Sequence, residues 1–138
     1  MIEQALLIAE KAHHGQTDKA GKPYIEHPKR VAQALQTVEE KMAGLLHDVI
    51  EDTKLTAEDL INLGMPEVVV EAVVALTKQP GETYDAFIDR VKTNPLAVRV
   101  KMADIGDNMN LDRLEKVTDE DLARNQKYEK ALKKLSKK

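Results

Sequence analysis

Hydrophobic positions recur along this chain at spacings of three and four, the repeat of an α-helix, and no run of β-branched residues alternates at period two. Ala5, Leu6, Ile8, Ala9 and Ala12 form a stripe that predicts a first helix over residues 2–14, closed by Gly15. A loop punctuated by Gly15, Gly21 and Pro23 follows, and Pro28 opens a second helix over 28–37. A central helix is expected over 39–53. Thr56 with Asp59 approximates a capping box for a short helix that turns Leu60, Ile61 and Leu63 inward and stops at Gly64. The apolar run 68–76 is rich in valine and could read as a strand, but its start at Pro66 and its length favour a buried helix. Further helices are expected over 83–92, from the cap Asn94-Pro95 onward, and over 118–135. The fold class is all-α.

The central segment divides by face. Met42, Leu45, Leu46, Val49 and Ile50 share an apolar arc, while His47, Asp48, Glu51 and Asp52 share the opposite one. A solvated polar face is the ordinary reading of such an arc. This one holds three carboxylates and an imidazole with no Lys or Arg, so its like charges repel unless a cation sits among them. Adjacent His and Asp also offer one borderline and one hard ligand, a pairing suited to a divalent transition metal. A metal site accounts for the arc better than a solvated face.

Other polar residues gain meaning from that site. His27 stands at a helix entry before Pro28 and becomes a candidate ligand. In the helix after Pro95, apolar residues fall in two stripes, Val98, Met102, Ile105 and Met109 on one side and Leu96, Val100, Ala103 and Leu111 on the other. Lys101, Asp104 and Asn108 lie between them, and buried polar groups need partners. Lys101 and Asp104 could be a structural pair; alternatively Asp104 is another ligand, with Lys101 meeting an anion and Asn108 orienting a substrate. His13 is either a cation on a helix C-terminus or a member of the site. Lys19, Lys22 and Tyr24 suit an anionic ligand, although loop lysines are often simply solvated.

Composition narrows the classes. At 138 residues the chain is long enough for one domain with a real core, and the absence of cysteine removes thiolate chemistry and disulfides. A net charge of −3, and only Tyr24, Tyr84, Phe87 and Tyr128 as aromatics, argue against nucleic acid as a partner. No long apolar run or leader is present, so a cytoplasmic protein with no membrane partner is expected.

Four linked motifs then carry a resemblance: Ala12-His13-x-x-Gln16, Pro23-Tyr24-x-x-His27-Pro28, His47-Asp48-x-x-Glu51-Asp52 and Lys101-x-Ala103-Asp104-x-x-x-Asn108. Together they resemble the HD-domain phosphohydrolases, and more narrowly the hydrolase domain of the RelA/SpoT family and the small alarmone hydrolases. The resemblance implies about eight helices, one manganese ion, and removal of the 3′-pyrophosphate from guanosine tetra- or pentaphosphate. It implies that His27, His47, Asp48 and Asp104 hold the metal, that Glu51 and Asp52 are catalytic, and that Asn108 orients a nucleotide substrate. Half of those ligands are hard carboxylates, which favours manganese over zinc. The chain departs from the family pattern at Thr17-Asp18, where an Arg-Arg pair is usual, and at Asn110, where an arginine is usual. Looser base discrimination is therefore expected. Another phosphorylated substrate, or a sensor module without catalysis, are the alternatives; the Glu51-Asp52 pair speaks against the sensor.

Overall fold

The computed structural model describes residues 1–110, 114 and 116–137. Among these the chain forms α1 (Ile2–Ala12), α2 (Glu26–Gln33), α3 (Val38–Leu46), α4 (Val49–Asp52), α5 (Ala57–Asn62), α6 (Glu67–Ala75), α7 (Tyr84–Val91), α8 (Pro95–Asn108) and α9 (Asp119–Ser136). The described residues contain no strand, only an isolated antiparallel bridge between Thr17 and Pro23. None of the described helices is long and apolar enough to cross a membrane.

Helix α3 is the axis of the packing. It starts from a capping box in which the Thr37 hydroxyl accepts the Glu40 amide and Glu40 reaches back to the Thr37 amide. It then packs against α1, α2, α6 and α8 and buries Met42, Ala43, Leu45 and Leu46. Gly44 lets α2 come close: a Cβ there would lie 3.0 Å from Leu35 Cδ1 and 3.4 Å from Val31 Cγ1.

The expected central helix is broken in two, which makes nine helical segments among the described residues where about eight were expected. His47 and Asp48 occupy the break. His47 Nδ1 donates to the Gly44 carbonyl at 2.6 Å, the acceptor that an uninterrupted α-helix would offer to the Asp48 amide. The chain keeps its helical sense, with the Asp52 amide bonded to the Asp48 carbonyl at 2.9 Å. Sequence periodicity cannot register such a break, because the apolar residues on both sides stay in phase.

Two apolar expectations need correction. Ile61 and Leu63 do not face inward; they are 53% and 42% exposed, and Leu60 alone of the three is buried. The 68–76 run is helical as expected, but Val68 and Val74 point outward while Val69, Val70, Ala72 and Val73 face the core. Leu111, counted on one stripe of α8, lies outside the described residues.

The α6–α7 connection is held by one guanidinium. Arg90 reaches the Thr77 carbonyl at 2.7 Å and pairs with Glu82 through Nε at 2.9 Å, while Glu82 also accepts the Gln79 amide at 3.0 Å. The Arg90 hydrogen bond, then the Gln79 amide, pull the Glu82 carboxyl down to about 2. A carboxyl lowered on folding adds stability above its unfolded value of 4.5 and loses it as pH falls toward 2. Glu82→Gln is therefore expected to melt below wild type at pH 7, and the gap should close when both are melted near pH 2. A gap independent of pH would show that the carboxylate charge is not what holds this turn.

Candidate functional site

Side chains from α2, the α3–α4 break and α8 converge behind α3. His27, His47 and Asp104 are buried, and each places one ligand atom within 4.8 Å of the other two, a group able to hold a metal ion. His27 Nε2 lies 2.8 Å from Asp104 Oδ1. His47 Nε2 lies 3.2 Å from that same oxygen and 3.0 Å from Asp48 Oδ2. Of the four sequence-predicted ligands the structure thus groups three, and Asp48 stands outside that group, touching it through His47.

The fit to a cation rests on His47. Its Nδ1 hydrogen is committed to Gly44, and its Nε2 is buried without a hydrogen bond while facing two carboxylate oxygens. A ring nitrogen faced by two carboxylates calls for positive charge there, either a proton on the ring or a metal ion in its place. Burial disfavours charge on this ring, yet Asp48 and Asp104 outweigh it and raise its pKa well above the ordinary value. The pocket attracts positive charge, and two imidazoles with two carboxylates are a donor set for a divalent ion.

The surrounding polar groups hold these atoms in place. Burial works against ionisation of Asp104, but Lys101 and His47 keep its carboxyl well below the usual range. Lys101 Nζ donates to Asp104 Oδ2 at 3.0 Å and Asn108 Nδ2 to Asp104 Oδ1 at 3.1 Å. The Lys101–Asp104 pair considered from the sequence is present, and it lies against the His27–His47 cluster. The Tyr24 hydroxyl donates to Asp48 Oδ2. His13 is buried against the Tyr24 ring, 4.8 Å between centroids, with Nδ1 2.9 Å from Gln16 Oε1. Burial, ahead of the Gln16 hydrogen bond that works the other way, lowers its pKa, and its ring lies within the polar cluster and not on the solvent end of α1.

Glu51 and Asp52 stand at the rim on α4, both exposed. Glu51 Oε1 accepts the Lys78 amide at 2.9 Å. Partial desolvation, then the charges of Asp48 and Glu51, push the Asp52 carboxyl up to about 6.

A cleft of about 420 Å³ opens beside the cluster, lined on one wall by Thr17, Lys19, Tyr24 and Asn108 and on the other by Arg124 and Tyr128. Asp121 is buried at its edge and pairs with both Lys19 (3.2 Å) and Arg124 (3.1 Å). Lys22 is exposed, its amide bonded to Asp18 Oδ1 at 3.0 Å. The same Asp18 oxygen accepts the Ala20 amide at 2.9 Å, so this residue shapes the loop's turn. Sequence reading missed Arg124 and Tyr128, whose i,i+4 spacing on α9 was the available signal. It also missed Asp107, which follows Asp104 by three residues.

A profile of the HD domain family matches residues 5–85, more than half of the chain. The chain belongs to the HD domain family. The matched part holds His27, His47, Asp48, Glu51 and Asp52, while Asp104, Asn108 and α9 lie beyond it. This HD domain is 38% identical over 122 residues to the bifunctional (p)ppGpp synthase/hydrolase SpoT of Escherichia coli K12, covering 78% of this chain and 17% of that protein. It is 36% identical over 121 residues to a GTP pyrophosphokinase of Streptomyces coelicolor, covering 78% of this chain and 14% of that one. A guanosine-3′,5′-bis(diphosphate) 3′-pyrophosphohydrolase of Vibrio cholerae is 48% identical over 63 residues, 43% of this chain and 9% of that one. The chain spans about a sixth of the length of the first of these relatives. A solved structure described as a metazoan ortholog of SpoT that hydrolyzes ppGpp aligns at a TM-score of 0.81 and 24% identity, over 98% of this chain and 85% of that one. That likeness is one of fold.

Proposed function

We propose that this HD domain is a manganese-dependent pyrophosphohydrolase that removes the 3′-pyrophosphate of guanosine tetra- or pentaphosphate, acting as one domain over residues 1–138. The observation that carries the proposal is the buried cluster of His27, His47 and Asp104, with His47 Nε2 set between the Asp48 and Asp104 carboxylates at 3.0 and 3.2 Å, beside a cleft of about 420 Å³. The names of the relatives support the substrate class. His27, His47, Asp48 and Asp104 would hold the ion, which when bound supplies Lewis-acid polarisation of a phosphoryl oxygen and a more acidic water.

The chain's own residues do the rest. Asp52, with a carboxyl that takes up protons readily, accepts the proton of the attacking water as its oxygen bonds to phosphorus. The bond to the ribose 3′ oxygen breaks, that oxygen gains a proton, and pyrophosphate leaves. Glu51, fixed by the Lys78 amide, positions the water. Lys19, Lys22 and Lys101 offset phosphate charge, Asn108 orients the leaving side, and Tyr24 keeps Asp48 turned toward the cluster. The guanidinium missing from the Thr17-Asp18 position has a substitute across the cleft in Arg124.

A pyrophosphate-release panel over guanosine and adenosine 3′,5′-bispyrophosphates and other nucleotides, with manganese added, tests this reading. Turnover of the guanosine compounds is expected; manganese uptake with turnover confined to another phosphorylated compound would replace the substrate. Arg124→Gln is expected to raise KM for the guanosine substrate about 10- to 100-fold, on the scale of a lost charged hydrogen bond, with kcat nearly unchanged. An unchanged KM would move the base to another wall.

A further inference from the structure

We propose that Arg30 and Asp107 form a relay that fixes His27 in the tautomer a metal ion requires, which makes Asp107 a positioning residue of the metal centre; the inference rests on the manganese reading above. Helices α2 and α8 face each other across two rungs. The inner rung is His27 to Asp104, and one helical turn further along each helix the outer rung is Arg30 to Asp107. The rungs are cross-linked, because Asp107 Oδ2 lies 2.6 Å from His27 Nδ1. Arg30 holds that carboxylate at both oxygens, Nε donating to Oδ1 at 2.8 Å and Nη2 to Oδ2 at 3.2 Å.

The chemistry follows from the two nitrogens of one ring. A neutral imidazole carries a single proton, and a proton on Nε2 would be drawn to Asp104, 2.8 Å away, and would cover the lone pair that an ion needs. Asp107 offers the competing acceptor at Nδ1, so the proton stays there and Nε2 is free to bind. Arg30 braces the carboxylate by a forked contact and cancels its charge, so the relay adds no net negative charge to a site already crowded with carboxylates. Both partners lie partly screened from water, the Asp107 side chain 13% and the Arg30 side chain 30% exposed.

The test is manganese affinity by chelator competition for wild type, Asp107→Ala, Asp107→Asn, Arg30→Gln and the double variant Asp107→Ala/Arg30→Gln, each with a thermal melt of the metal-free protein. Asp107→Ala is expected to weaken manganese binding about 10- to 100-fold, the scale for removing the hydrogen-bond partner of a ligating histidine. Arg30→Gln should weaken it less, and the double variant no more than Asp107→Ala alone, because Arg30 acts through Asp107. Asp107→Asn keeps shape and an acceptor oxygen, so it should melt near wild type and recover part of the affinity. It also decides the question if Asp107→Ala fails to fold. Wild-type affinity in both Asp107 variants, or losses that simply add in the double variant, would overturn the relay and leave the metal centre standing. A wild-type protein that takes up no manganese would overturn the metal centre and the relay together.

Discussion

Asp104→Ala is expected to abolish manganese binding and to destabilise the metal-free protein by about 3–5 kcal/mol, the cost of stripping a buried charge of its partner. Four groups lean on this carboxylate: His27 Nε2 at 2.8 Å, Lys101 Nζ at 3.0 Å, Asn108 Nδ2 at 3.1 Å and His47 Nε2 at 3.2 Å. Lys101 suffers most, since its side chain is 13% exposed and its ammonium is left beside the rings of Phe87 and Tyr84. Adding Lys101→Met removes the stranded charge and should restore much of the stability without restoring metal. Urea unfolding and metal content, measured on both variants, separate the two roles. Full manganese content in Asp104→Ala would remove Asp104 from the ligand set.

Asp52→Asn is expected to lower kcat by about 10²- to 10⁴-fold while manganese content stays near normal, the range for losing a positioned general base. In wild type, activity should fall on the acid side with a midpoint at or below about 6, the value to which the Asp52 carboxyl is pushed before any cation offsets its neighbours. That raised pKa also bears on folding. The folded state binds the Asp52 proton more tightly than the unfolded chain, whose value is near 3.8, so between 3.8 and 6 stability falls as pH rises. Metal-free Asp52→Asn should therefore melt above wild type at pH 7, with the difference vanishing below pH 3.8. A variant that retains full turnover would free Asp52 from the proton transfer.

The helices were legible because burial here follows the helical repeat, and because Thr56 and Asn94 stand at helix starts as capping residues; Thr37, taken as the end of the second helix, instead caps the start of α3. The buried cluster of His27, His47 and Asp104 was legible because His and Asp at these positions have few other uses on apolar helices. The break at His47 was hidden: it depends on a side chain competing for a backbone carbonyl. Ile61, Leu63, Val68 and Val74 misled because an apolar residue at a helix surface obeys the same spacing as one in the core. Arg30, Asp107 and Arg124 were passed over for a related reason. A charged residue on a helix reads as solvated until a second helix is known to lie against it, and that knowledge is tertiary.

The break at His47 and the crossing of α3 with α8 also set an order of assembly during synthesis. His27 and His47 belong to the segments from α2 to the α3–α4 break, but the Asp104 carboxylate that both contact arrives with α8, roughly 60 residues after His47, and the far wall of the cleft only with α9. At translation rates of about 5–20 residues per second, several seconds separate His47 from Asp104. A growing chain on the ribosome therefore carries both histidines before their shared carboxylate has been made, and the cleft lacks its far wall until α9 has followed.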